Sequence, residues 1–390
     1  MNTSTENNSV DNMGRKKICF IVARPGVATG FLREPINKLA TEFDVYLASN
    51  FEGKPMELDL PLAGCFDFPI ERNPGLWNEL KALRLLYRYF RKERFFAVHS
   101  QALNASLLTS IAGWMARVPH RIRIFTGQMW VTMTGFRRKF YRFLDRVTIA
   151  LNTELLVDGK PQRQFLIDEG ILKDGQAEVL AKGSISGVDV NRFCPTELDR
   201  DTERNNLGIK PEQVVFTFLG RLKRDKGLFE ILTAFNQLAM SEANAFLLLF
   251  GNDEEDVISH LPEYKNICEG KNFCYFGPTR KPEKSLQAAD VFLLPSYREG
   301  FGVSAIEAAC LGLPVICSDT YGMADTMIDN VTGLRCAVGD AKSLYESMLR
   351  LYNDTKLRLK MGKEGRNRVL RDFSSEYVSN EWLRFYKNLK

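Results

Sequence analysis

Short apolar runs recur along the chain, each closed by glycine, proline or a small polar residue. Residues 16–24 (KKICFIVAR), 43–49, 65–70, 95–100, 121–126 and 147–151 read as buried strands, and 178–183 (EVLAKG) as a last short one. Stretches with helical spacing lie between them, at 31–42, 76–93, 104–116 and 136–144. Continuous apolar strands that alternate with helices belong to parallel sheets covered on both faces. A charged stretch flanked by prolines, 195–213, reads as a domain boundary. The pattern then restarts, with strands at 214–220, 245–251, 273–277, 291–296 and 314–318 and helices at 226–240, 282–289 and 303–312. Helical patterns at 341–352, 354–368 and 375–389 close the chain.

The expected fold class is therefore α/β, with two Rossmann-like domains whose parallel sheets face an interdomain cleft. Residues 1–14 read as a flexible polar tail, 15–192 as the N-terminal domain and 193–373 as the C-terminal domain. Residues 374–390 read as a helix that packs back on the N-terminal domain.

Length supports two cored domains: 390 residues, 45% of them hydrophobic. Net charge is only +5, but it is uneven, because residues 1–190 hold 26 Lys and Arg against 20 Asp and Glu. The eight cysteines form no C-x-x-C pair and read as reduced thiols. The three histidines lack metal-ligand spacing, so no metal site is expected. No uncharged apolar run approaches the roughly 18 residues that would span a bilayer.

Chemistry concentrates in R-E-G-F-G-V-S-A-I-E (298–307), where Glu299 and Glu307 bracket Gly300, Phe301, Gly302 and Val303. A helix that starts just after the glycines turns free N–H groups and its positive dipole end toward an anion. One carboxylate on the loop suits sugar hydroxyls, and one a turn inside the helix suits a ribose. A hydrolytic carboxylate pair would instead flank the scissile bond. Gly220-Arg221-Leu222 through Lys226-Gly227 follows the strand at 214–220, so Arg221 and Lys226 can point into the same crevice. Two fixed cations neutralise a leaving diphosphate without a metal.

Taken as a set, these motifs resemble the family 4 retaining glycosyltransferases of the GT-B fold. The matching residues are G-R-L-x-x-x-K-G (220–227), Phe276 and Gly277, A-D-V-F-L-L-P-S (289–296), E-G-F-G (299–302), Glu307, G-L-P-V-I (312–316) and T-G-L (332–334). The resemblance implies a nucleoside-diphosphate sugar donor, UDP- or GDP-linked, retention at the anomeric carbon, and no metal or other cofactor. It implies that Arg221 and Lys226 contact the diphosphate and that Glu299 and the Phe301–Val303 backbone hold the donor sugar. Glu307 would take the ribose, and the base would stack near Phe276 to Thr279.

The N-terminal half carries weaker signals. Gly26 and Gly30 follow the first strand where the family usually has a glycine-rich loop, and a simple turn accounts for them equally well. Thr126 stands where related enzymes carry a histidine, so Thr126 or Gln128 would supply that hydrogen bond. His99 ends a strand and reads either as a cleft residue or as a buried, hydrogen-bonded one. Two basic aromatic segments, 81–96 and 136–147, have the spacing of amphipathic helices that lie on an anionic membrane surface, or that pack an apolar face on the sheet. No nucleic-acid-binding module is recognisable.

The expected function is transfer of a sugar to a lipid-linked glycan acceptor in surface-polysaccharide biosynthesis. The expected location is the cytoplasm, peripheral at the inner face of the cytoplasmic membrane. A soluble enzyme making a small glycoside, or a non-catalytic GT-B partner subunit, are the alternatives.

Overall fold

A computed structural model describes residues 14–53, 58–70, 75–101, 103–270 and 272–390. The tail expected over residues 1–14 lies, apart from Gly14, outside the described residues. Two six-stranded sheets, every strand pair parallel, organise the described residues. The first contains β1 (Lys17–Ile21), β2 (Asp44–Ser49), β3 (Gly64–Asp67), β4 (Ala97–Gln101), β5 (His120–Phe125) and β6 (Glu154–Val157), in the order β3-β2-β1-β4-β5-β6. The second contains β7 (Val214–Leu219), β8 (Ala245–Phe250), β9 (Phe273–Tyr275), β10 (Val291–Leu294), β11 (Val315–Ser318) and β12 (Gly333–Cys336), in the order β12-β11-β10-β7-β8-β9. Strand order reverses between β1 and β4 in one sheet and between β7 and β10 in the other. Each reversal opens a crevice beyond the strand ends, where open α/β sheets bind ligands.

The central strands are apolar on both faces because helices cover both. All six residues of β8 are buried, as are all four of β10. The second sheet is the middle of one large core that runs from Val188 to Phe373.

Several elements depart from the sequence reading. Residues 147–151, expected as a strand, complete the helix Gly135–Leu151, and the strand follows three residues later as β6. A short apolar run carries no period of its own, and here the buried Thr148 hydroxyl donates back to the Asp145 carbonyl inside the helix. Residues 178–183 form only isolated bridges, because Ala181 takes a left-handed conformation (φ 53°) that interrupts the extended chain. The expected helix 31–42 is two helices, Pro25–Phe31 and Arg33–Leu39, and the first begins at a proline that fits helix position N1. The charged stretch 195–213 contains the helix Glu197–Asn206, capped by the Thr196 side chain. Arg200 and Arg204 of that helix pair with Asp290 beside β10, so its charge anchors it to the C-terminal domain.

The polypeptide passes between the two sheets twice. Residues 183–189 run outward, and the helix Ser375–Asn388 runs back, with Trp382 and Tyr386 buried in the core that holds β1 and β2. The two crossings touch: Val188 N–H donates to the Phe373 carbonyl and Ser375 N–H donates to the Val188 carbonyl, both at 2.8 Å. Gly187 is obligatory there, since its φ is +61° and a Cβ would come within 2.8 Å of Ser375. Among the described residues, no helix is long and apolar enough to cross a membrane.

Candidate active site in the interdomain cleft

The segment after β7 and the segment after β10 are stitched together at the switch point of the second sheet. Lys226 Nζ donates to Glu299 Oε1 at 2.6 Å, and Ser296 Oγ donates to the same oxygen at 2.9 Å. Arg298 pairs with Asp225 at 3.1 Å, and Tyr297 N–H donates to the Asp225 carbonyl. Gly227 makes this approach possible: its φ is +75°, and a Cβ would meet the Pro295 carbonyl oxygen at 2.3 Å. Arg221 lies at the rim, half exposed, and pairs with Glu254 at 3.3 Å.

Glu299 leads into the turn Gly300-Phe301-Gly302 and then the helix Val303–Cys310. This turn is pressed against the N-terminal domain. A Cβ on Gly300 would come within 2.2 Å of the Thr126 carbonyl oxygen and 2.7 Å of Asp158 Oδ2. Phe301 is buried and meets Phe373 edge-on at 5.5 Å. A cavity of about 260 Å³ opens beside this turn, and Thr126, Asp158, Gln101, Glu299, Gly300 and Val303 are among the residues that line it. Gln101 ends β4 at the switch point of the first sheet, so both sheets deliver residues to one space.

Glu307, one turn into the helix, faces a neighbouring hollow with Gly30, Arg33 and Arg192, and Phe31 lines both spaces. Burial pushes the Glu307 carboxyl up to about 7, and the Arg192 charge opposes that rise. Phe276, partly exposed, stacks on Phe250 at 5.5 Å, and Thr279 Oγ1 lies 3.0 Å from Ser285 Oγ. Gly277, with φ +68°, accepts at its carbonyl from Gly251 N–H. Gly251 in turn lies over Gly220, where a Cβ would fall 1.6 Å from the Gly220 carbonyl oxygen.

His99 takes the buried, hydrogen-bonded one of its two readings, and Gln128 also lies away from the cavity. His99 is buried between Phe20 and Trp382, with ring centroids 5.1 and 4.9 Å away, and its Nδ1 meets the Tyr386 hydroxyl at 3.3 Å. The returning C-terminal helix covers it, and burial lowers its pKa to about 3. Gln128 is also buried; its amide oxygen accepts from Tyr321 and Gln162, each at 3.3 Å, so it ties the domains together and lies outside the cavity beside Gly300. Gly26, expected in a loop, is in the first turn of helix Pro25–Phe31, and Val27 and Phe31 of that helix reach the cavity instead.

Asp158 and Gln101 were not singled out from the sequence. Asp158 is the first residue after β6, a strand the reading misplaced, and a lone aspartate after an apolar run looks like an ordinary loop residue.

Comparison with known proteins bears on the family and the fold. Residues 199–368 match the family model described as glycosyl transferases group 1. The chain is 28% identical over 345 residues to a capsular polysaccharide biosynthesis glycosyltransferase of Staphylococcus aureus, covering 88% of this chain and 89% of that one. It is 25% identical over 341 residues to a UDP-Gal:alpha-D-GlcNAc-diphosphoundecaprenol alpha-1,3-galactosyltransferase of Escherichia coli, covering 85% and 86%. In three dimensions it resembles sucrose-phosphate synthase from Thermosynechococcus elongatus, with a TM-score of 0.82 at 20% identity over 96% and 99% of the two chains. The fold is GT-B.

Proposed function

We propose that this chain, a glycosyltransferase carrying a glycosyl transferases group 1 domain, moves a sugar from a UDP- or GDP-linked donor to a lipid-linked glycan acceptor. The product belongs to a surface polysaccharide, and the anomeric configuration is retained. The observation that carries the reading is the Lys226–Glu299 pair set beside the amino end of helix Val303–Cys310, at the strand-order switch of the second sheet.

A diphosphate seated against that helix end meets its N–H groups and dipole. Lys226 and Arg221 balance the charge that grows as the glycosidic bond breaks, a stabilisation strongest in the transition state. Glu299 is fixed by two donors and keeps its second oxygen for sugar hydroxyls. Glu307 faces the ribose and Phe276 to Thr279 the base. The residues supply the needed charge without a metal, so EDTA is expected to leave turnover intact.

A membrane-surface role is supported by the helix Gly135–Leu151. Phe136, Phe140 and Phe143 recur at helical spacing and are 81%, 46% and 58% exposed, flanked by exposed Arg137, Lys139 and Arg146. Aromatic rings with interleaved cations at this spacing suit an anionic bilayer interface. The other basic helix, Leu76–Glu93, buries its apolar face: Ala82, Leu86 and Phe90 enter the core, and its cations face solvent. These exposed rings support a location at the inner face of the cytoplasmic membrane, where a lipid-linked acceptor would be met. The relative from Escherichia coli is named for a diphosphoundecaprenol-linked acceptor, which favours the same class.

The test is a panel of nucleoside-diphosphate sugars, each scored for protection against thermal unfolding and for transfer to a polyprenyl-diphosphate-linked sugar. One donor should protect and be consumed. Indifference to every UDP- and GDP-linked donor would overturn the assignment.

A further inference from the structure

We infer that Asp158 is the N-terminal domain's hydrogen-bonding group for a sugar hydroxyl in the cleft, placed across the Gly300 turn from Glu299. The inference rests on the transfer reaction proposed above and adds a residue to it. Asp158 is only 4% exposed, lines the cavity beside Gly300, and its Oδ1 has no hydrogen-bond partner among the described residues. Its backbone is fixed on both sides. The N–H donates to the Phe125 carbonyl and to Gln162 Oε1, and the carbonyl accepts from Ser184 N–H. Such a carboxyl costs stability wherever it stays unpaired. A cavity of sugar size, walled by Glu299 on the other domain, is where that cost is recovered by a ligand.

The surroundings suit a neutral donor. Burial pushes the Asp158 carboxyl up to about 8, so it carries its proton near neutral pH. The charged and titratable groups nearby are Glu299, held by Lys226; Tyr321; and Asp325, which accepts from Lys160 N–H next to Gly159. None of these is a cation bonded to Asp158. A protonated carboxyl can donate to a hydroxyl oxygen, and it does not repel a diphosphate entering the same cleft.

The sugar could belong to the donor or to the acceptor, and two arms separate them. Asp158→Ala and Asp158→Asn are made in the full-length enzyme. Donor hydrolysis without acceptor is measured first, followed by transfer with the acceptor varied. Asp158→Ala should lower kcat/KM on the order of 10- to 100-fold, the scale of a hydrogen bond lost in a buried site. Asp158→Asn, which still donates, should retain most activity. A loss in hydrolysis and donor KM assigns the donor sugar; a loss confined to acceptor KM assigns the acceptor. Affinity for the free nucleoside diphosphate should not change in either variant, and the thermal midpoint should hold or rise because an unpaired acid has gone. Wild-type kinetics in both arms for Asp158→Ala, or a fall in midpoint with unchanged kinetics, would overturn the inference. Wild-type turnover of any donor keeps that failure separate from failure of the functional assignment.

Discussion

Lys226 Nζ and Glu299 Oε1 lie 2.6 Å apart, although 73 residues separate them in the chain. Both side chains are mostly buried. Removal of one leaves the other charge poorly compensated, a larger effect than the loss of an exposed pair. Lys226→Ala is expected to slow transfer by roughly 2–4 kcal/mol in kcat/KM, the scale of one lost transition-state contact. Arg221→Ala should lose a similar amount, through the diphosphate rather than through Glu299. Glu299→Ala should abolish most turnover while leaving the free nucleotide's affinity largely intact. Steady-state kinetics with titration calorimetry checks all three, and full activity in both cation variants would remove them from the site.

Gly300 tests whether the domains work in the arrangement described. Gly300→Ala would drive a methyl group into the Thr126 carbonyl and Asp158. Each domain keeps its own core, so the loss should fall on activity by one to two orders of magnitude, with a small change in thermal midpoint. A fully active Gly300→Ala enzyme would show that catalysis does not need this contact.

Glu307 gives a pH signature. Its folded pKa of about 7 lies above the value of a solvated carboxyl. The folded state therefore holds a proton that the unfolded chain has released, and stability of the ligand-free protein falls as pH rises from about 4.5 through about 7. Glu307→Gln should remove that fall, so its midpoint gains on the wild type more at pH 8 than at pH 5. Nucleotide affinity should move the other way, strengthening through the same window as the ribose meets an ionised acceptor. Parallel thermal melts and nucleotide titrations at pH 5, 6, 7 and 8 check both slopes.

Phe136, Phe140 and Phe143 offer a third kind of test. Replacing all three with serine should sharply weaken binding to anionic vesicles and leave activity on a soluble acceptor analogue unchanged. Raising salt should release the wild type only partly, since ring insertion is not screened. Equal sedimentation of mutant and wild type with vesicles would sink the membrane role.

The sequence shows its buried parallel strands well, because helices on both faces demand unbroken apolar runs such as FLLLF and VFLL. It also shows the Glu299–Glu307 and Arg221–Lys226 segments, where residue spacing and local structure coincide. It fails where a contact distant in sequence decides. Residues 197–206 form a helix whose arginines reach Asp290, and VTIAL, with no period of its own, completes the helix that begins at Gly135. His99 is hidden by a helix almost three hundred residues later, and Asp158 gains its environment only when Gly300 closes over it.

The paired crossings at Val188 and Phe373–Ser375 hold the two lobes like a door on two pins. A single connecting strand would let the lobes swivel; two that are bonded to each other permit a swing and resist a twist. Any relative movement of the lobes about this pair is therefore confined to a path that keeps Gly300 in register with Thr126.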